Sequence, residues 1–286
     1  MSECFREFFI KNDQVHKSED FSDDLITEGI SLYEVVRVVN GVPLFLEKHL
    51  DRLRNSAKLA NCKLWLEMVD IKGRMLKLIE ENNTTEGNIK LVFNYDKEGS
   101  PRDNTFLAYF LKHSYPTEKQ YEQGVPTILC FMERDNPNAK IINTNLKKVT
   151  DEKMKEAGAY EAILVDKNNN ITEGSRSNIF MVREDTVVTA PLEDVLPGIT
   201  REIIMDICSS ENIKLEEERT KCSEVDKLDA LFITGTSPKV LPINRVNDFL
   251  FSSSTNIIVQ NIMSAYNRII DNYIRNNKEK LELDEI

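Results

Sequence analysis

The chain has 286 residues, 41% of them hydrophobic and 30% charged, with a formal net charge of −11; this length suits one large domain or two modest ones and can bury a real core. The acidic excess argues against a broad nucleic-acid surface, which needs clustered Lys and Arg, and against attraction to anionic lipid. No apolar run approaches the roughly 20 residues that cross a bilayer, and the N-terminus lacks a basic stretch followed by a long apolar one, so neither a membrane span nor a secretory signal is expected.

Five cysteines, Cys4, Cys62, Cys130, Cys208 and Cys222, are scattered and never form a Cys-x-x-Cys pair. That usage fits reduced thiols in a cytoplasmic protein, with no disulfide framework and no zinc site. His16, His49 and His113 are equally scattered, so no metal site is expected.

In chain order, residues 1–30 are polar and irregular, with a short strand-like piece at Phe8-Phe9-Ile10. The β-branched run 29–39 reads as a strand, Asn40-Gly41 as a hairpin turn, and 42–46 as its return strand. A helix follows over 47–60, with Leu50, Leu53, Ala57 and Ala60 on one face, and a second helix over 66–81. After a loop at 82–87, the segments 88–95 and 105–111 read as strands around a Gly99-Ser-Pro-Arg turn.

Residues 115–124 are polar and contain Pro116; they read as a linker between a domain at 1–116 and a larger one at 117–286. Beyond it come a strand at 125–132, a lysine-bearing segment, and a helix over 150–157. Strands at 162–165, 178–182 and 186–189 precede a helix that opens at Pro197-Gly198-Ile199-Thr200 and ends near 209. Ser223 is placed to cap a short helix, and a strand at 231–234 runs into the Gly235-Thr236-Ser237-Pro238 turn. A last helix spans 255–276, and the charged tail 278–286 reads as frayed. Helices and strands alternate without strict βαβ regularity, so the class is α/β or mixed α+β.

A lone Lys or Glu is usually a solvated residue, but several pieces here stand in a telling order. Lys140 lies in Ala139-Lys-Ile-Ile142, where apolar neighbours disfavour its ammonium form and suit a nucleophilic amine. Glu173 precedes a small-polar turn that opens a strand. The turns 196–201 and 235–238 expose backbone N–H groups, one of them at a helix start, and with Arg52 they would suit a phosphate. This pattern points to pyridoxal phosphate, with Lys140 as its Schiff-base partner and Glu173 keeping the ring nitrogen protonated.

The chain here resembles the class IV aminotransferases, fold type IV pyridoxal-phosphate enzymes that include branched-chain and D-amino-acid aminotransferases and aminodeoxychorismate lyases. The resemblance runs from about residue 29 to 242. It rests on Tyr33-Glu34-x-x-Arg37, His49-Leu-Asp-Arg52-Leu, Lys140-x-x-Asn143 and Tyr160-Glu161-Ala-Ile-Leu. It rests equally on Thr172-Glu173-Gly174-Ser-x-Ser-Asn178-Ile-Phe, Leu196-Pro-Gly-Ile-Thr-Arg201 and Phe232-Ile-Thr-Gly-Thr236. Each piece alone is weak; their common order is the signal.

The resemblance implies a small N-terminal α/β domain and a larger C-terminal α/β pseudo-barrel domain that supplies Lys140 and Glu173, with the cofactor between them, in a homodimer. It implies that Lys140 carries pyridoxal phosphate and Glu173 faces the pyridine nitrogen. Arg52, Ile199, Thr200 and Thr236 would bind the phosphate, and Ser177 and Asn178 would lie among the cofactor's contacts. Tyr33, Arg37, Lys90 and Ser237 would line the substrate pocket. Competing assignments are Lys147 or Lys148 for Lys140, and Arg54 for Arg52. For Thr200 and Thr236, the backbone N–H groups are the expected contacts.

The implied substrates are an amino acid and a 2-oxo acid. The strand at 88–95 ends in Asn94-Tyr95-Asp96, where D-amino-acid aminotransferases carry an arginine for the substrate carboxylate. Arg37 resembles the branched-chain enzymes. Lys90 stands where those have arginine and where the lyases often have lysine. A branched-chain-like aminotransferase is the favoured expectation. The alternatives are a lyase making 4-aminobenzoate and pyruvate from aminodeoxychorismate, and a non-catalytic cofactor-binding protein.

Overall fold

The computed structural model describes residues 2–95, 104–112 and 115–284; the turn expected at 99–102, Asp96 and His113 lie outside these. The chain divides into two compact units. One comprises Met1–Ser114, Ala139–Ile142 and Ile270–Ile286, the other Tyr115–Asn138 and Asn143–Ile269. The short excursion 139–142, which carries Lys140, therefore groups with the first unit, as does the end of the chain, although the sequence suggested that everything beyond 116 belonged to the second.

The first unit is built on a six-stranded antiparallel sheet of order β2-β1-β6-β5-β3-β4. Its strands are β1 (Phe8–Lys11), β2 (Gln14–Lys17), β3 (Ile30–Val39), β4 (Val42–Pro43), β5 (Gly87–Tyr95) and β6 (Thr105–Leu111). A short helix α1 (Asp24–Thr27) precedes β3, and α2 (Leu46–Leu59) and α3 (Met68–Glu81) follow β4. Leu32, Val36 and Val38 of β3 pack with Ile89, Leu91 and Phe93 of β5 against Leu50 and Leu53 of α2 and Ile71, Met75 and Leu78 of α3. Successive strand residues point to opposite faces, so the intervening positions of β3 and β5 are turned away from this core.

Two expectations in this unit needed correction. The β1–β2 hairpin turns at Asn12, whose φ is 57°, a backbone state that Asn tolerates; the polar flank had hidden the pairing. The return strand expected over 42–46 stops at Pro43, and Phe45 at φ 52° swings the chain into α2. An apolar run such as 44–46 cannot by itself distinguish a strand from the first turn of a buried helix.

The second unit is organised around a sheet in which six strands close on themselves. They are β7 (Val125–Phe131), β8 (Glu161–Val165), β9 (Ile171–Gly174), β10 (Asn178–Arg183), β13 (Ala230–Gly235) and β14 (Lys239–Val246). The pairings run β10–β13–β14–β7–β8–β9, and β9 returns to β10 through Glu173 opposite Asn178. Three further strands extend this sheet: β11 (Thr186–Thr189), β12 (Lys214–Glu217) and β15 (Phe249–Leu250). Closure removes the free strand edges of an open sheet. Ile163, Ile179, Met181, Leu231, Ile233, Leu241 and Ile243 fill one core of the unit.

Its helices are α4 (Glu118–Gln123), α5 (Thr144–Ala157), α6 (Ile199–Ser210) and α7 (Ile257–Asp284), the last passing into the first unit's residues. The stretch expected as a linker contains α4, stabilised by a capping box in which the Thr117 side chain accepts from the Gln120 N–H and the Gln120 side chain accepts from the Thr117 N–H. Helix α5 begins six residues earlier than expected, because the Asn143 side chain accepts from the Leu146 N–H, and it ends at left-handed Gly158. The helix at Cys222–Lys227 is 3-10 and is entered at Lys221 without a side-chain cap, so Ser223 sits inside it. The region expected to fray is helical to Asp284. Strands β9, β12, β14 and β15 were not anticipated; β12 and β15 are largely exposed and carry no alternation of apolar and polar residues. None of the five cysteines is in a disulfide.

Candidate active site

In the first unit, Lys140 is placed by strand addition. The Tyr33 N–H donates to the Lys140 carbonyl at 3.1 Å, and the Ile142 N–H donates to the Ser31 carbonyl at 3.0 Å. A bridge between Leu32 and Ile141 completes the pairing, and the Lys140 N–H donates to Ser56 Oγ of α2 at 3.1 Å. The segment thus lies along β3, and the Lys140 ammonium sits 4.6 Å from the centroid of the Tyr33 ring. Cations are drawn to the negative face of an aromatic ring. Lys140 is half-buried, whereas Lys147 and Lys148 are exposed on α5.

Glu34, the neighbour of Tyr33, points to the other face of the sheet. Arg52 grips it through two hydrogen bonds, Nε to Oε1 at 2.8 Å and Nη2 to Oε2 at 2.6 Å. His49, one turn earlier on α2, places Nδ1 at 2.8 Å from the same Oε2. All three side chains are buried, while Arg54 is exposed and pairs with Asp51. Burial pushes the Glu34 carboxyl up, but the Arg52 charge and the Arg52 and His49 hydrogen bonds override it and hold the carboxyl at about 2. Burial, with the positive charges of Arg52 and Lys140, lowers the His49 pKa despite the Glu34 contact. An ionised carboxylate only accepts hydrogen bonds, so the neutral imidazole carries its proton on Nδ1.

Tyr33, Arg37 and Lys90 share the face opposite Glu34. In register, Val35 of β3 lies opposite Lys90, Arg37 opposite Asn88, and Lys90 opposite Tyr109 of β6. The Lys90 ammonium is 5.1 Å from the Tyr33 ring centroid and donates to Glu3 Oε2 at 2.6 Å. The Tyr109 hydroxyl donates to that same oxygen at 2.8 Å.

In the second unit, Glu173 stands at the seam that closes the barrel and is 2% exposed. Its Oε1 accepts from Arg134 Nε at 2.8 Å and its Oε2 from the Leu196 N–H at 3.1 Å. Arg134 also donates to the Ser175 carbonyl at 2.9 Å. The Leu196 carbonyl in turn accepts from Asn178 Nδ2 at 2.9 Å and from the Gly198 N–H at 2.7 Å. Glu173 and the turn that starts α6 are therefore tied together by a short hydrogen-bonded chain.

That turn leaves the start of α6 without a side-chain cap at Gly198. The N–H groups of a first helical turn have no intrahelical acceptor, and their dipoles favour an anion. Thr200 Oγ1 lies 3.3 Å from the Tyr266 hydroxyl. Helix α6 packs along β13, whose end leads into the Thr236-Ser237 turn. The Ser177 hydroxyl donates to buried Glu161 at 2.9 Å, and Ser175 contributes its N–H at 3.1 Å and its hydroxyl at 2.5 Å to the same carboxylate. Ser177 and Asn178 thus shape the turn after Glu173.

A cavity of about 750 Å³ opens within this unit, with Arg134, Glu173, Asp166, Asn170, Arg219 and Lys221 among its walls. Ile199, Thr200 and Thr236 do not line it, so it is not the phosphate cradle expected from the sequence.

The structure thus brings Tyr33, Lys90 and Lys140 together around one ring, and joins Glu173, Asn178 and the α6 start in one network. Sequence reasoning singled out neither Arg134 nor the Glu3–Tyr109 pair. No spacing rule relates Arg134 to Glu173, 39 residues away, or Glu3 to Lys90, 87 residues away.

A mixed α/β chain with a barrel-like sheet, a strand-held lysine and a carboxylate at the barrel seam has the architecture of fold type IV aminotransferases. The family model described as amino-transferase class IV matches residues 31–246, and the chain belongs to that family. A D-alanine aminotransferase of Bacillus licheniformis is 27% identical over 256 residues, covering 86% of this chain and 89% of that one. The branched-chain amino acid aminotransferase of Escherichia coli superposes with a TM-score of 0.83 at 20% identity, covering 93% of this chain and 95% of that one. A 4-amino-4-deoxychorismate lyase described from Legionella pneumophila superposes with a TM-score of 0.76 at 21% identity, covering 84% and 91%. At such identities the two superpositions establish the shared fold alone.

Proposed function

We propose that this protein is a pyridoxal-phosphate-dependent aminotransferase that moves an amino group from an amino acid, with a branched-chain-like side chain favoured, to a 2-oxo acid. As the family resemblance implies, we further propose that it works in the cytoplasm as a homodimer. The observation that carries the assignment is the fixed backbone of Lys140, whose amine rests over the Tyr33 ring. A lysine on a solvated helix would have no such constraint.

The donor types, taken unit by unit, suit parts of pyridoxal phosphate: in the first unit the amine of Lys140 suits the aldehyde, and in the second the buried carboxylate of Glu173 suits the pyridine nitrogen and the uncapped helix start at Ile199 and Thr200 suits the phosphate. Bound there, the cofactor would supply an electron-poor ring that stabilises negative charge at the substrate α-carbon. Lys140 would hold the cofactor through its aldehyde, and its amine would be the group to move a proton at the substrate α-carbon. Glu173, which accepts from Arg134 and the Leu196 N–H, would keep a proton on the pyridine nitrogen and so govern rate more than retention. Phosphate contacts are proposed for Arg52 in the first unit and for the N–H groups of Ile199, Thr200 and Thr236 in the second, with Ser177 and Asn178 shaping the turn after Glu173. Tyr33, Arg37, Lys90 and Ser237 contact the substrate.

The first test is spectroscopic. Purified protein with pyridoxal phosphate is scanned with L- and D-amino acids in the absence of any oxo acid. Conversion of the Schiff-base band to the pyridoxamine form by one class of amino acid is the expected result, and borohydride reduction should label Lys140. Absence of the band in the wild type, or an identical spectrum in Lys140→Ala, would overturn the assignment.

The second reading is an aminodeoxychorismate lyase. It is favoured by Lys90, a lysine on the face that carries Tyr33. Release of pyruvate from aminodeoxychorismate without added oxo acid would select it.

A further inference from the structure

Helix α2 carries His49 and Arg52, and its start is built against local preference. Phe45, at the N-cap position, has φ 52° and ψ 38°, a left-handed conformation that bulky residues rarely adopt, and it offers no side-chain cap. Such a conformation persists only where surrounding contacts hold it. The first N–H groups of a helix also lack intrahelical acceptors. Tyr273, on the stretch of α7 that belongs to the first unit, answers both needs. Its ring centroid lies 4.7 Å from that of Phe45, with the planes tilted by 52°. Its hydroxyl donates at 2.7 Å to Oε2 of Glu47, in the first turn of α2. Burial and the Glu47 hydrogen bond push that hydroxyl well above the usual tyrosine range, while hydrogen bonds from the Leu46 and Phe45 N–H groups act against the shift. One phenol oxygen thus receives backbone N–H groups at the helix start and gives its own proton to a carboxylate there, the work of a capping side chain done from 228 residues further along the chain than Phe45.

The capped start leads directly to the residues around Glu34. The His49 N–H donates to the Phe45 carbonyl at 3.2 Å, and Arg52 follows on the same helix with Nε and Nη2 engaged by Glu34. Directional contacts to a ligand are sensitive to displacements of about 1 Å. We propose that Tyr273 is a positioning residue for the cofactor phosphate: by capping α2 and holding Phe45 in its left-handed conformation, it fixes where Arg52 stands and so makes the chain's last helix part of phosphate recognition. The inference rests on the assignment of Arg52 to phosphate in the aminotransferase reading.

The experiment uses Tyr273→Phe, which keeps a ring against Phe45 and removes the hydroxyl. The cofactor-free full chain is titrated with pyridoxal phosphate and, separately, with pyridoxal, which has the same aldehyde and no phosphate; the Schiff-base band reports both. Affinity for pyridoxal phosphate should fall about tenfold, the scale of one hydrogen bond, while affinity for pyridoxal stays within about twofold of the wild type. The stabilisation of cofactor-free protein by inorganic phosphate in thermal unfolding should shrink in the same variant. A cap with a structural role alone would lower the melting temperature without separating the two aldehydes.

Equal changes for pyridoxal phosphate and pyridoxal, or no change in either, overturn the proposal. Should Tyr273→Phe fail to fold, Glu47→Ala removes the acceptor of the hydroxyl at an exposed position and decides on the same titrations. A loss selective for pyridoxal phosphate of at least about threefold, the lower end for one hydrogen bond, is then expected, and its absence overturns the proposal. If the wild type forms no Schiff-base band, the inorganic phosphate measurement decides alone. Weaker phosphate stabilisation in Tyr273→Phe would then leave the positioning role standing and overturn the cofactor reading instead, and unchanged stabilisation would overturn the positioning role as well.

Discussion

Arg52 holds Glu34 with two parallel hydrogen bonds, 2.8 and 2.6 Å long, between side chains that are both buried. The pair joins α2 to β3 and fixes the direction of the guanidinium proposed to meet phosphate. Breaking one partner of a buried pair leaves the other charge without compensation, at a cost of roughly 3–5 kcal/mol. Glu34→Gln should therefore lower unfolding stability by about that amount in denaturant titrations, and weaken cofactor binding as well.

The same carboxylate sets a pH dependence. Its folded pKa of about 2 lies below the ordinary 4.5, so the unfolded chain takes up this proton first as the solution is acidified. The stabilisation is complete above pH 4.5 and is lost as pH falls towards 2. The stability gap between wild type and Glu34→Gln should narrow over that window in urea titrations; a gap independent of pH would contradict the ionised pair.

His49 should be a neutral ring at pH 6.5, because its pKa is lowered by burial and by the neighbouring positive charges. The sign is that of a depressed base: the neutral ring's contribution is full above about 6.5 and falls as pH drops below it. Nitrogen NMR of the labelled imidazole should show Nδ1 protonated and Nε2 bare at that pH. A doubly protonated ring would contradict the arrangement around Glu34.

Arg134→Gln removes the guanidinium from Glu173 while leaving the Leu196 N–H in place. A charged hydrogen bond contributes roughly 1.5–3 kcal/mol, or about ten- to a hundredfold in rate if it is felt at the reacting ring. The expected outcome is a fall of that order in kcat with a smaller change in cofactor affinity, measured by single-turnover kinetics and cofactor titration. Equal losses in both would assign Arg134 to retention alone.

Gly198 is confined by space. A Cβ there would lie 2.0 Å from Asn178 Oδ1, and Asn178 holds the Leu196 carbonyl. Gly198→Ala should distort the start of α6, lower the melting temperature, cost about 1–3 kcal/mol and weaken cofactor binding. Adding Asn178→Ala should restore part of the stability, a non-additivity expected of residues in contact. Simple additivity would mean that the clash is relieved elsewhere.

Short motifs in a common order were enough to place the chain in its family. The sequence also singled out Lys140 over Lys147 and Lys148, and Arg52 over Arg54, and the structure sets these rivals apart by burial. The mixed α/β class was legible too, since it depends on local periodicity and turn chemistry. The capping signals at Thr117 and Asn143 were written in the sequence and are simple to recover, being contacts over three residues. The long-range pairings, by contrast, emerge only once the chain is folded. They include the addition of residues 139–142 to β3, the closing of the barrel through Glu173 and Asn178, and the meetings of Arg134 with Glu173 and of Glu3 with Lys90. The same holds for Tyr33 and Glu34, neighbours in the chain that a pleated strand sends to opposite faces, one towards Lys140 and the other into the grip of Arg52. A local pattern records which residues alternate, but which face meets which partner is set by strands and helices brought together from far along the chain.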